Sequence, residues 1–227
     1  MTSLDDLPIR DDLRGLEPYG APQKHVRVQL NVNENTHAIP EAVATDIVMA
    51  LAGAVMGVNR YPDREFTELR DSLAGYLGHG LTRDNIWAAN GSNEVLQQTL
   101  QAFGGPGRSV LGFPPTYSMH SIIASGTGTR WVTAERDDGY ELSPQTVVAA
   151  IEREQPDIVF LCSPNNPTGT PLGLDTIEAA YDATPGILLV DEAGRPTGIR
   201  WPDGVALVAD AAPAARPAGL AVSTQEA

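Results

Sequence analysis

The stretch Asp157-Ile158-Val159-Phe160-Leu161-Cys162-Ser163-Pro164-Asn165-Asn166-Pro167-Thr168-Gly169 decides how the chain folds. Its first six residues are a continuous apolar, β-rich run. Such a run suits a strand buried on both faces of a parallel sheet, where no solvent face imposes alternation. The next seven residues hold two prolines, two asparagines and a glycine, a rigid turn at the strand's carboxyl end. In open α/β sheets that edge is where ligands bind.

Working outward, similar units recur. Ser109-Val110-Leu111-Gly112-Phe113, Thr129-Arg130-Trp131-Val132-Thr133 and Gly186-Ile187-Leu188-Leu189-Val190 read as strands. Between them lie helical patterns: Val95, Leu96, Leu100 and Phe103; Val147, Val148 and Ile151 after the cap-and-proline pair Ser143-Pro144; and Leu174, Ile177, Ala180 and Tyr181. Two further helices are expected upstream. One spans about 40–56 through Ile39, Val43, Ile47, Leu51 and Val55, and the other is marked by Phe66, Leu69, Leu73 and Leu77. The buried core is expected to begin at Ile86-Trp87-Ala88-Ala89. Strands alternating with helices predict an α/β fold, a mostly parallel sheet flanked by helices. Gly104-Gly105-Pro106-Gly107 precedes a strand instead of opening a helix, so it is a turn and not a dinucleotide-binding loop.

Composition narrows the function. A formal net charge of −14 over 227 residues leaves no basic patch for nucleic acid or an anionic membrane. No run approaches the ~18 apolar residues of a membrane span, and the N-terminus lacks a basic-then-apolar signal, so the expected location is cytoplasmic. Cys162 is the single cysteine, which excludes an internal disulfide and reads as a core residue. His25, His37, His79 and His120 show no metal-ligand spacing, and no metal is expected. Lysine occurs once, at Lys24, while the other 14 basic residues are arginines.

Ser163-Pro164-Asn165-Asn166-Pro167-Thr168-Gly169 matches the S-P-x-N-P-T-G signature of the fold-type I pyridoxal-phosphate (PLP) aminotransferases, and the chain resembles that family over about residues 13–193. Leu16-Glu17-Pro18-Tyr19, Leu30 to Thr36 and Arg60-Tyr61-Pro62-Asp63 are similar to elements of its histidinol-phosphate aminotransferase branch, with Thr36 where a proline is usual. The resemblance implies a cofactor cradle. Gly91, Ser92 and Asn93, at a helix N-terminus suited to a phosphate, would hold the PLP phosphate. Tyr117 would cover the pyridine ring, Asn166 would bond its phenolic oxygen, and Asp191 would keep the ring nitrogen protonated. Tyr61 would reach the phosphate of the neighbouring subunit in a homodimer, and Tyr19, Asn33 and Asn35 would line the substrate. The implied reaction converts histidinol phosphate and 2-oxoglutarate to imidazole-acetol phosphate and glutamate, in histidine biosynthesis.

Three parts of that pattern are missing. No lysine follows Lys24, so the aldimine-forming lysine is absent and no catalytic residue is assigned; Gly194 stands where the family has a tyrosine; and the substrate-binding arginine of the C-terminal small domain has no counterpart. The expected organisation is an arm at 1–40, a partial large domain at 41–193 and a tail at 194–227. The tail, with nine alanines, four prolines and four glycines, is expected to be disordered and is read as a frameshift product. The alternatives are a non-catalytic remnant that binds PLP or a partner, and another fold-type I enzyme such as an aromatic aminotransferase or a phosphothreonine-type decarboxylase.

Overall fold

The computed structural model describes residues 6–15, 20, 26–28, 37–78 and 80–192, together with the backbone of 219–222. The chain divides into two units, Met1–His37 and Ala38–Ala227. In the first, Asp11–Leu13 form a single 3-10 turn, with Asp11 and Asp12 paired to Arg14 and Arg10 on the surface.

The second unit runs α1 (Glu41–Val55), α2 (Thr67–Leu77), α3 (Gly91–Phe103), β1 (Ser109–Gly112), α4 (Met119–Gly126), β2 (Arg130–Thr133), α5 (Pro144–Glu154), β3 (Ile158–Cys162), α6 (Leu174–Ala183), β4 (Ile187–Asp191) and β5 (Gly219–Val222). All five strands are parallel, in the order β2-β1-β3-β4-β5. The order reverses direction between β1 and β3, so the exits of those two strands diverge around a crevice, the usual ligand site of doubly wound sheets.

The central strands β1, β3 and β4 are almost wholly apolar because each residue meets a helix layer whichever way it points, whereas edge strand β2 has exposed Arg130 and Thr133 at its ends. Leu111, Val159, Leu161, Leu188 and Val190 pack on one face against Val147 and Ile151 of α5 and Ile177 of α6. Their neighbours Val110, Ile158, Phe160 and Leu189 pack on the other against Leu96 and Leu100 of α3 and Ile123 of α4. Alternate residues thus serve two cores, as the period of two in a strand requires. Ser143 caps α5 by accepting from the Thr146 amide at 3.1 Å, with Pro144 at the first helical position.

Of residues 86–89, where the core is expected to begin, Ile86 is buried and Ala88 and Ala89 are half-buried, but Trp87 is exposed and edge-on to Phe66. Helix α1 forms where its pattern predicts, yet none of its residues is buried, and Ile47, Val48, Met49 and Leu51 face outward. Its apolar stripe has no cover among the described residues. Within the segment 194–227, the backbone of residues 219–222 pairs with Leu188–Asp191 as the edge strand β5. Backbone ladders need no particular side chains, so the open edge of β4 accepts a segment that carries no strand pattern. Among the described residues, no helix is long and apolar enough to cross a membrane.

Candidate cofactor site

The carboxyl ends of β1, β3 and β4 converge on one buried cluster. Asp191 ends β4 on the face that carries α3 and α4, because residues 187, 189 and 191 share a face. The loop after β1 climbs over that face and enters α4, and the first turn of α4 delivers His120 to Asp191. His120 Nε2 lies 2.8 Å from Asp191 Oδ2, and each side chain is only 1% exposed. An ionised carboxylate only accepts, so Nε2 carries the hydrogen and donates it. Nδ1 is buried and has no hydrogen-bond partner among the described residues, an unusual state for an interior nitrogen. The imidazole is held edge-to-face by Tyr117 (centroids 5.6 Å apart) and Phe160 (5.2 Å).

The β3 exit is fixed to both neighbours. The Ser163 amide donates to the Asp191 carbonyl at 2.9 Å, and Ser163 Oγ accepts from the Leu172 amide at 3.0 Å. Asn165, buried, donates from Nδ2 to the Pro115 carbonyl (2.9 Å) and to Thr168 Oγ1 (2.8 Å). Its backbone closes the loop through the Asn165 amide to the Thr170 carbonyl and the Gly169 amide to the Asn165 carbonyl. Beside it, Asn166 is half-buried. The thiol of Cys162 sits beneath these loops and is pushed up to about 11, chiefly by burial and then by the Asp191 charge. The Asn166 amide, the Arg136 guanidinium and the Thr116 hydroxyl act on it in the opposite sense. Tyr117 is thus linked to Asp191 through the His120 ring, while Asn166 lies in the β3 exit loop, its backbone beside the Cys162 thiol.

Gly91, Ser92 and Asn93 open α3, on the same sheet face as Asp191. Gly91 takes φ +76°, a conformation that favours glycine, and so turns the chain into the helix. Asn90 makes no side-chain cap bond, while its amide donates to the Glu94 carboxylate at 2.5 Å. The first amides of α3 consequently keep their anion-binding character. Tyr61 lies fully exposed on the loop between α1 and α2, and no described residue covers its ring. Tyr19, Asn33 and Asn35, like Lys24 and Gly194, lie outside the described residues.

Sequence reasoning missed two residues. In the sequence His120 reads only as a metal-ligand candidate; its place three residues after Tyr117, one helical turn on, is the signal that sets it beside that ring. Arg136 carried no motif. It is half-buried and bonds three acceptors, and burial pushes its pKa down while the Cys162 and Asp137 charges act in the opposite sense. Among the described residues, no group of three or more His, Cys, Asp or Glu side chains is placed to hold a metal.

Comparison with known proteins places the chain in a family. The family described as aminotransferase class I and II matches residues 26–199. A histidinol-phosphate aminotransferase of Paenarthrobacter aurescens is 63% identical over 193 residues, covering 84% of this chain and 52% of that protein. One of Thermobifida fusca is 57% identical over 191 residues, with the same coverage. The chain spans about half the length of the curated relatives it matches. Among solved structures, the histidinol-phosphate aminotransferase of Sinorhizobium meliloti in complex with pyridoxal-5'-phosphate is 26% identical with a TM-score of 0.56, covering 65% of this chain and 40% of that one. A mutant aspartate aminotransferase of Thermus thermophilus superposes with a TM-score of 0.67 over 82% of this chain and 50% of that one, at 23% identity, a likeness of fold alone.

Proposed function

The chain belongs to the class I and II aminotransferases, and from that premise we propose that it carries the PLP cradle of a histidinol-phosphate aminotransferase. The reaction of the whole enzyme is transfer of an amino group between histidinol phosphate and 2-oxoglutarate, in the cytoplasm, by a homodimer. The observation that carries the reading is the buried Asp191–His120 pair beneath Tyr117, at the carboxyl edge of the sheet. A carboxylate buried at a strand's carboxyl end, beside an aromatic ring, supplies the negative partner that a cationic ring nitrogen needs, so the residues fit the cofactor. Bound there, PLP supplies an electron sink for a bond breaking at the substrate's amino-bearing carbon.

The chain's own residues divide the remaining work. Asp191 holds a proton at the ring nitrogen, and His120 fixes which carboxylate oxygen turns toward it. Tyr117 covers one ring face and keeps water from it. Asn166 directs a hydrogen-bond donor at the phenolic oxygen. Gly91, Ser92 and Asn93 offer the phosphate the amides and dipole of a helix N-terminus. Tyr61, exposed on its own subunit, serves the phosphate site of a partner, and Tyr19, Asn33 and Asn35 line the substrate side.

One observation favours a second reading for the polypeptide taken alone. Its only lysine is Lys24, so residues 1–227 place no lysine after the Asp191 strand. The polypeptide then binds PLP without a covalent link and does not turn over. The test is titration of the purified chain with PLP, followed by dichroism of the bound cofactor, borohydride reduction, and assay with histidinol phosphate and 2-oxoglutarate. Saturable binding that Asp191→Ala weakens, no reduced adduct and no turnover are expected. Binding indifferent to Asp191→Ala overturns the cradle; turnover by the chain alone overturns the second reading.

A further inference from the structure

Arg136 lies just beyond β2, an edge strand, and is drawn across β1 toward β3. Its Nε donates to the Phe113 carbonyl at 2.8 Å, at the exit of β1. Its Nη2 donates to Asn165 Oδ1 at 3.0 Å, in the loop after β3. Its Nη1 donates to the Tyr140 carbonyl at 3.1 Å, in a turn held by Asp137. From Asn165 a chain of donors returns to the same carbonyl: Asn165 Nδ2 to Thr168 Oγ1 (2.8 Å), Thr168 to Thr170 Oγ1 (2.8 Å), and Thr170 Oγ1 to the Tyr140 oxygen (3.1 Å). Each hydroxyl accepts once and donates once, so the ring closes with every member satisfied. None of the three acceptors on Arg136 is a carboxylate. A half-buried cation spent on carbonyls and an amide gains less than one paired with an acid, so its place is explained better by geometry than by stability.

We propose that Arg136 is the positioning residue of the cofactor site, its planar fork bolting the β1 exit that carries Tyr117 to the β3 exit that carries Asn166. The two loops flank the point where the strand order reverses, and a second bond between them, Asn165 Nδ2 to the Pro115 carbonyl at 2.9 Å, runs through the same amide that Arg136 orients by its oxygen. Arg136 touches neither proposed cofactor contact. It acts through the Phe113 carbonyl, four residues before Tyr117, and through Asn165, adjacent to Asn166. Lysine, a point donor, cannot reach three acceptors in one plane.

The inference rests on the cofactor reading above, and its test separates the two. The full chain and its Arg136→Gln and Arg136→Lys variants are titrated with PLP, and amide hydrogen exchange is followed without cofactor. Both variants are expected to raise the Kd for PLP by about tenfold, as loss of an outer-shell partner does, and to diminish the dichroism of the bound cofactor. Without cofactor, the loop amides of Asn165 and Gly169 and the His120 amide exchange faster together, while Phe160 in β3 keeps its wild-type rate. Full rescue by lysine shows that charge alone suffices and overturns the proposal. So does equal acceleration of Phe160, which makes Arg136 a general stabiliser. If the wild-type chain does not bind PLP, the cradle reading falls, and the exchange rates still decide the tie: unchanged loop rates in Arg136→Gln overturn it.

Discussion

Replacing His120 with phenylalanine removes one hydrogen bond and leaves nearly everything else in place. The new ring keeps the edge-to-face neighbours Tyr117 and Phe160, 5.6 and 5.2 Å from the present one. The 2.8 Å bond to Asp191 is lost where both side chains are 1% exposed, so water cannot replace it. A hydrogen bond to a charged group contributes about 1.5–3 kcal/mol, and losing one donor to a buried carboxylate falls at the upper end of that range. The variant should therefore lose about 3 kcal/mol. Asp191→Asn keeps an oxygen that accepts from Nε2 and removes the charge, so it should lose about 1 kcal/mol. In that background the His120→Phe change strands only a neutral amide and should cost about 1 kcal/mol, giving a coupling near 2 kcal/mol. The assay is urea unfolding followed by tryptophan fluorescence at neutral pH. With a slope of about 2 kcal/mol per molar urea, the single His120 variant should shift the midpoint down by about 1.5 M. Costs of His120→Phe that agree to within about 0.5 kcal/mol in the two backgrounds would refute the pairing.

Three other expectations follow from the same packing. Gly186→Ala places a Cβ on the Asp157 carbonyl oxygen, which also accepts from the Ile187 amide at 3.0 Å; the overlap is with backbone, and a loss of about 2 kcal/mol in urea unfolding is expected. Cys162, pushed up to about 11, should resist iodoacetamide in the native chain and react once unfolded. Because the unfolded thiol ionises first, its contribution to stability falls as pH rises from the ordinary thiol value toward about 11, which urea midpoints across that range will show. Asp63 accepts from the Thr67 amide at 2.7 Å and the Glu65 amide at 3.0 Å, and these bonds hold its carboxyl below the usual carboxylate range. Its capping of α2 is complete above that range and is lost as pH falls through the lowered value. The NMR shift of the Thr67 amide should titrate there, and Asp63→Ala should fray the first turn of α2.

The sequence by itself determined strands β1 to β4 and which of their ends carry the candidate site residues. Ile158–Cys162 and Ile187–Asp191 are apolar without alternation because crossover helices cover both faces, and that pattern is visible in one dimension. The turn at Ser163–Gly169, the α3 N-terminus at Gly91 and the acid at Asp191 are local features, legible for the same reason. The tertiary structure alone decided what those features meet. Strand order follows from how the crossovers pack, and it places the exits of β1 and β3 around one crevice. His120 reaches Asp191 across 71 residues and Arg136 reaches Asn165 across 29, contacts no sequence period encodes. The outward stripe of α1 and the pairing of residues 219–222 have the same origin. Helical spacing specifies a face without specifying its cover, and a backbone ladder forms without reading side chains. Periodicity is a property of neighbours along the chain; a buried hydrogen bond depends on which distant segments the packing brings within 3 Å of each other.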